Sequence, residues 1–172
     1  MKKVSIFLCM VLCSIALHAN VVSGTCGDNL TWSYDTDTKA LTIEGTGDMS
    51  YNEVPWAQVK GDILSVSLPE GLTSIEWSAF NGCSSLTSII LPNSVTSIRD
   101  GAFQNCSSLT DIYCYATTPP VSYHDDTFKG VNTQLCYIHV PAGTIRAYRW
   151  AHMWKKFYNL SEISEETAIS NK

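Results

Sequence analysis

The residues of this 172-residue chain that could do chemistry are seven cysteines, four histidines and a few clustered acids. Cys83 and Cys106 stand 23 positions apart in two near-identical stretches, FNGCSSL at 80–86 and FQNCSSL at 103–109. Stacked one above the other, they could form a disulfide or share a metal. Stacking would bring their Cα atoms to about 5 Å, inside the disulfide window, yet leave the Cβ vectors parallel rather than convergent. The spacing favours two small buried hydrophobes beneath Phe80 and Phe103. Cys114 and Cys136 fall at an inward and an outward position of successive strands, about 13 Å apart, too far to bridge. Cys26 has no assignable partner, and with no C-x-x-C a zinc site is not expected.

The other candidates are weaker. His124, Asp125 and Asp126 form an occasional metal-ligand set, but they sit in a turn-rich insertion that reads as a solvated loop. DTDTK at 35–39 begins like a calcium loop. Such a loop needs glycine at its sixth position and glutamate at its twelfth, where Ala40 and Thr46 stand. It reads as a hairpin turn. No nucleophile–base constellation emerges, so neither enzymatic activity nor a cofactor is expected.

The elements that position these residues follow from the repeat. LTSIILPNSVTSIRDGAFQNCSS at 86–108 has its apolar slots copied one period earlier in ILSVSLPEGLTSIEWSAFNGCSS at 63–85. A third copy begins LTDIYCY at 109 and becomes irregular; a fourth starts LCYIHVP at 135. Leu86, Ile89 and Leu91, ended by Pro92, describe a short strand, and Val95 with Ile98 a second extended piece. DGAFQNC reads as a turn that drives Phe103 inward. A unit this small cannot close its own core, so each must cover its neighbour. Each rung adds a strand to a parallel sheet.

The L-x-x-I-x-L-P…V-x-x-I…A-F-x-x-C-S-S unit resembles the BspA-like leucine-rich repeats of secreted and surface proteins. SGTCGDNLTW at 23–32 and LTIEGTGDM at 41–49 resemble that family's N-terminal cap, and ATTPP at 116–120 with VPAGTIRAYRWAHMWKKF at 140–157 its closing segment. The expected fold is a β-rich α/β solenoid, a right-handed leucine-rich repeat with 23-residue repeats. The expected division is a signal peptide at 1–19, an N-terminal β-hairpin cap at 20–62, about four rungs at 63–142 with the third irregular, a C-terminal helical cap at 143–160 and a flexible tail at 161–172. In the N-terminal cap, LTWSY and ALTIE pair across DTDTK. In the C-terminal cap, Thr144 caps a helix to about His152 that buries Ile145, Ala147, Tyr148 and Ala151, with Trp154 and Phe157 folding back on it.

Lys2 and Lys3, the apolar run Val4–Leu17 and the small Ala19 have the pattern of a secretory signal, cleaved after Ala19 or after Gly24. No other stretch is long enough to span a membrane. Removing it takes away two lysines and no acids, leaving 9 basic and 16 acidic residues and a net charge of −7. That balance disfavours nucleic acid, which needs a basic face.

What remains is surface. Outward positions of the sheet strands form two ladders: Ser65, Ser88, Asp111, Tyr137, and Ser67, Ile90, Tyr113, His139. Small polar residues give way to aromatics in the later rungs, with Tyr115 and Tyr123 close by. Aromatics with polar tips are enriched at interfaces; single surface tyrosines are also ordinary. The resemblance implies a secreted or cell-surface protein whose sheet face meets an extracellular protein, for recognition or adhesion. A glycan bound on the same tyrosines, or a spacer with no ligand, are the alternatives.

Overall fold

The computed structural model describes residues 20–50, 54–122 and 124–164. The expected signal peptide at 1–19 and Tyr123 lie outside the described residues.

The chain opens with three antiparallel strands, β1 (Val21–Gly27), β2 (Leu30–Asp35) and β3 (Ala40–Asp48). In β2 and β3 apolar residues alternate, so Leu30, Trp32, Tyr34, Leu41 and Ile43 share one buried face. The Asp35 carboxylate closes the β2–β3 hairpin by accepting the amides of Asp37 (2.8 Å) and Thr38 (3.0 Å). Those two bonds hold its carboxyl below the usual range. Gly45 in β3 has φ +111°, and a Cβ there would meet the Asn29 carbonyl oxygen, so only glycine fits against the turn into β2. The flanking strand β1 was not anticipated. Its residues 21–25 are exposed and show no alternation to read.

Parallel pairing then carries the chain forward in two tracks. On one, β3 pairs with β5 (Gly71–Ile75), and β5 with β7 (Ser97–Ile98). An isolated bridge, Ser97 to Val121, extends it one turn further. On the other, β6 (Ser88–Leu91), β8 (Asp111–Cys114), β9 (Tyr137–Val140) and β10 (Asn159–Glu162) form a four-stranded parallel sheet. Partners in β6 and β8 are 23 residues apart, as in Ile89 with Ile112. Partners in β8 and β9 are 26 apart, as in Ile112 with Ile138. The extra residues fall in the irregular segment 115–135.

Inward residues of successive turns stack. Trp56, Phe80, Phe103 and Phe128 form a column with ring centroids 5.9, 5.3 and 5.4 Å apart and interplanar angles of 21°, 19° and 8°. Phe128 ends on Trp154 and Phe157. Backbone bonds run beside the column: Phe80 donates to Ala102 O and Phe103 to Thr127 O. Cys83 and Cys106 lie fully buried in this core, and the Cys106 thiol donates to Phe80 O at 3.1 Å. All five described cysteines are free.

Four expectations need correction. First, β4 (Ser65–Ser67) pairs with β3 through Ala40–Ser65, Leu41–Val66 and Thr42–Ser67, and the four-stranded sheet begins only at β6. With three residues before Leu68-Pro69, β4 spends its ladder on the hairpin, although it lies beside β6. Second, Leu135 is exposed and Cys136 fully buried, the reverse of the expected phase. Asn132 closes a tight turn, its side chain accepting the amide of Gln134 and its carbonyl the amides of Leu135 and Cys136. The chain enters β9 from that turn rather than from extended backbone, so alternation does not reach back to Leu135.

Third, the helix α1 spans only Ile145–Trp150, and Thr144 sits in helical backbone with its hydroxyl donating to Pro141 O (2.6 Å) instead of capping. Fewer than two turns leave room for one inward position, so Tyr148 is buried, Ile145 and Ala151 are half-buried and Ala147 is exposed. Tyr148 fastens the helix by donating to Ala116 O (2.7 Å), and Trp154 reaches Pro120 O (3.0 Å). Fourth, residues 161 and 162, expected in a loose tail, belong to β10, which covers the edge of β9. Residues 165–172 lie outside the described residues.

Candidate binding surface

Strand alternation decides which side chains leave the four-stranded sheet. In β8 and β9, Ile112, Cys114, Ile138 and Val140 turn into the core, so Asp111, Tyr113, Tyr137 and His139 turn out. The register places Ser88 beside Asp111, Ile90 beside Tyr113, Asp111 beside Tyr137 and Tyr113 beside His139. Six of the eight candidate residues thus share one face. Ser65 and Ser67 are exposed on β4, outside that ladder.

The aromatic members touch. Tyr113 stacks on the His139 imidazole at 4.3 Å and 12°, and Tyr137 lies beyond it at 6.2 Å and 17°. Tyr137 is 48% exposed, whereas Tyr113 and His139 are half-buried by their neighbours. Burial, and then the Asp111 carboxylate, hold the Tyr113 phenol above its ordinary range, so it stays a neutral donor. His139 is held at both ends: Nε2 lies 2.9 Å from Asp111 Oδ1 and Nδ1 lies 2.8 Å from Ser161 Oγ. The imidazole is therefore locked in plane beneath Tyr113.

Ser161 was missed because its segment read as tail. The signal was there: in NLSE, Leu160 and Ser161 alternate like Ile138 and His139, their partners in β9.

A family model described as "BspA type Leucine rich repeat region (6 copies)" matches residues 59–159. The chain belongs to the BspA-type leucine-rich-repeat family. Among solved structures, a leucine-rich repeat protein from Eubacterium ventriosum ATCC 27560 is similar at 20% identity with a TM-score of 0.50. The likeness covers 86% of this chain and 45% of that one, so the chain spans less than half the length of that relative. No curated protein matches. Repeats of this type suggest protein–protein interaction in general, and proteins carrying them are typically surface or secreted bacterial proteins.

Asp111, His139 and Ser161 form a hydrogen-bonded carboxylate–imidazole–hydroxyl chain, the connectivity of a nucleophilic triad. An acyl-transfer site also needs backbone donors aimed at an oxyanion about 3 Å from the nucleophile. BspA-type repeats are generally non-enzymatic modules. On this face the chain of bonds ties β8, β9 and β10 together and orients the imidazole.

The remaining candidates resolve into structure. Burial pushes the thiols of Cys83, Cys106 and Cys136 up to about 12, which keeps them protonated at neutral pH. Asp125 accepts from Lys156 Nζ at 2.7 Å and lies 3.7 Å from His152 Nε2, while Asp126 pairs with Lys129 at 3.4 Å. Among the described residues no group of three or more His, Cys, Asp or Glu is placed to hold a metal. None of the helices among the described residues is long and apolar enough to cross a membrane.

Proposed function

We propose that this chain is a secreted or cell-surface module that meets an extracellular protein through the outward face of its four-stranded sheet, for recognition or adhesion. The underlying architecture in this reading is a right-handed solenoid of 23-residue repeats at 63–142. A β cap at 20–62 precedes it, a helical cap at 143–160 closes it, and a signal peptide at 1–19 directs export. The observation that carries the reading is the row Tyr113, His139 and Tyr137, in which both tyrosines stack on an imidazole held by Asp111 and Ser161. Side chains fixed before binding lose little rotamer freedom on binding, which favours affinity. Tyrosine with its two χ angles is the cheapest large contact to order. Ser88 and Ile90 continue the face on β6.

The test is a Tyr113→Ala, Tyr137→Ala double variant. Truncating central interface aromatics loses roughly 2 kcal/mol or more, about thirtyfold in affinity. The variant should remain folded by circular dichroism and lose at least about tenfold in capture of the extracellular protein that the parent retains from culture medium. Undiminished capture by the folded variant would refute the sheet face as the site.

A further inference from the structure

The closing segment differs in charge from the rest of the molecule. Residues 141–161 hold four basic residues, Arg146, Arg149, Lys155 and Lys156, and no aspartate or glutamate; all 16 acids lie elsewhere, with seven other basic residues. Lys156 is committed to Asp125. Arg146, Arg149 and Lys155 are not ion-paired with any described residue.

Two large aromatic side chains stand among these cations. Trp150 is 81% exposed and Tyr158 72% exposed, the most exposed large hydrophobic residues among those described. Neither contributes to the core: Tyr148, Trp154 and Phe157 do that from the same segment. Instead Trp150 and Tyr158, with Arg149, Lys155 and the edge of Phe157, line a shallow concavity of about 360 Å³. This volume is at the low end of the range for small-ligand sites, roughly 300–1,000 Å³.

We infer that this concavity, on the C-terminal cap and using none of the sheet-face residues, binds an acidic glycan bearing carboxylate or sulfate groups. Indole and phenol rings offer flat apolar faces for the C–H face of a pyranose ring, and Arg149 and Lys155 sit where they can meet its anionic substituents. Guanidinium suits carboxylate and sulfate because its fork of donors matches their paired oxygens. Charge complementarity selects the occupant: outside this segment acids outnumber basic residues 16 to seven, whereas within it every charged residue is basic, so an anionic polymer is favoured at this end. A bilayer surface would share the charge but calls for a broad apolar helix face lying flat in the headgroup layer. Here a six-residue helix presents a hollow with room for one or two rings.

The experiment measures binding of the purified protein to immobilised heparin and polygalacturonate, with neutral dextran as control. Binding to at least one acidic polymer, absent on dextran and weakened by rising salt, is expected. Trp150→Ala, and separately Arg149→Ala with Lys155→Ala, should each lower affinity about tenfold or more, the scale for removing a central anchor. Trp150→Phe should retain most of it. Lys39→Ala with Lys129→Ala removes the same charge elsewhere and should cost less than about twofold, as for ordinary exposed charges. The Tyr113→Ala, Tyr137→Ala variant should bind these polymers like the parent, which separates this site from the sheet face. An unchanged Trp150→Ala, an equal loss in the Lys39 and Lys129 control, or no retention on either polymer would overturn the inference. Binding confined to anionic phospholipid vesicles would overturn it too, in favour of a membrane surface.

Discussion

Phe103→Ala should cost about 3–5 kcal/mol, the range for truncating a fully buried aromatic. Phe103 has no exposed surface and lies between two parallel rings, Phe80 at 5.3 Å and Phe128 at 5.4 Å. Each ring contact adds roughly 0.5–1.5 kcal/mol to the area the side chain buries. Relaxation is limited, because the backbone on both sides is hydrogen-bonded to the adjoining turns through Phe80 N to Ala102 O and Phe103 N to Thr127 O. Against a total stability of about 5–15 kcal/mol, the loss is roughly a fifth or more of what holds the chain folded. Urea unfolding followed by tryptophan fluorescence reads it directly, since Trp56 and Trp154 bracket the column. Phe103→Leu keeps most of the volume but loses both ring contacts, and should cost about 1–2 kcal/mol. A double-mutant cycle sharpens the point. Phe80 and Phe103 touch, so their truncations should couple by about 0.5–3 kcal/mol; Trp56 and Phe128, at opposite ends of the column with no ring in common, should add within about 0.5 kcal/mol. A Phe103→Ala variant within about 1 kcal/mol of the parent would refute the stacked column. Equal coupling for both pairs would refute the nearest-neighbour picture of the turns.

The thiols make a second prediction. Burial holds Cys83 and Cys106 at about 12, so a thiol reagent at pH 8 should label them only after denaturant is added, and non-reducing mass spectrometry should find them unlinked. Labelling within the mixing time of the native protein, or a Cys83–Cys106 link, would count against a filler role. A third concerns acid. Hydrogen bonds from Thr73 and Ser74 hold the Asp48 carboxyl below its ordinary value. A depressed folded pKa contributes stability that is present above the unfolded value, about 3.9, and lost as pH falls through the lower folded value. Asp48→Asn should therefore flatten the acid side of the stability–pH curve below about pH 4, and an unchanged acid limb would remove Asp48 from the account.

How much of this molecule was legible beforehand divides along the direction in which side chains point. An inward residue is constrained by the turn below it, so Phe80 and Phe103, or Ile89 and Ile112, had to repeat in kind and spacing, and the core could be read off. That constraint lapses wherever the backbone stops being extended. At Asn132 a side-chain-closed turn resets the phase, and Leu135 and Cys136 exchanged places although the ladder two residues later kept its register. An outward residue is answerable to no neighbour below, so periodicity could place Asp111, Tyr113, Tyr137 and His139 on one face but could not show that they touch. Ser161 illustrates the cost. Its only announcement was a two-residue alternation in a polar stretch, yet it supplies the bond that fixes one end of the imidazole. The same freedom explains Trp150 and Tyr158. A helix short enough to bury only Tyr148 fully leaves Trp150 to solvent, and Tyr158 beyond it is exposed as well, so the core sets neither side chain. In a stacked-turn protein, then, departures from the repeat on the outer surface are where function has to be sought, because the core has already claimed every position that must repeat.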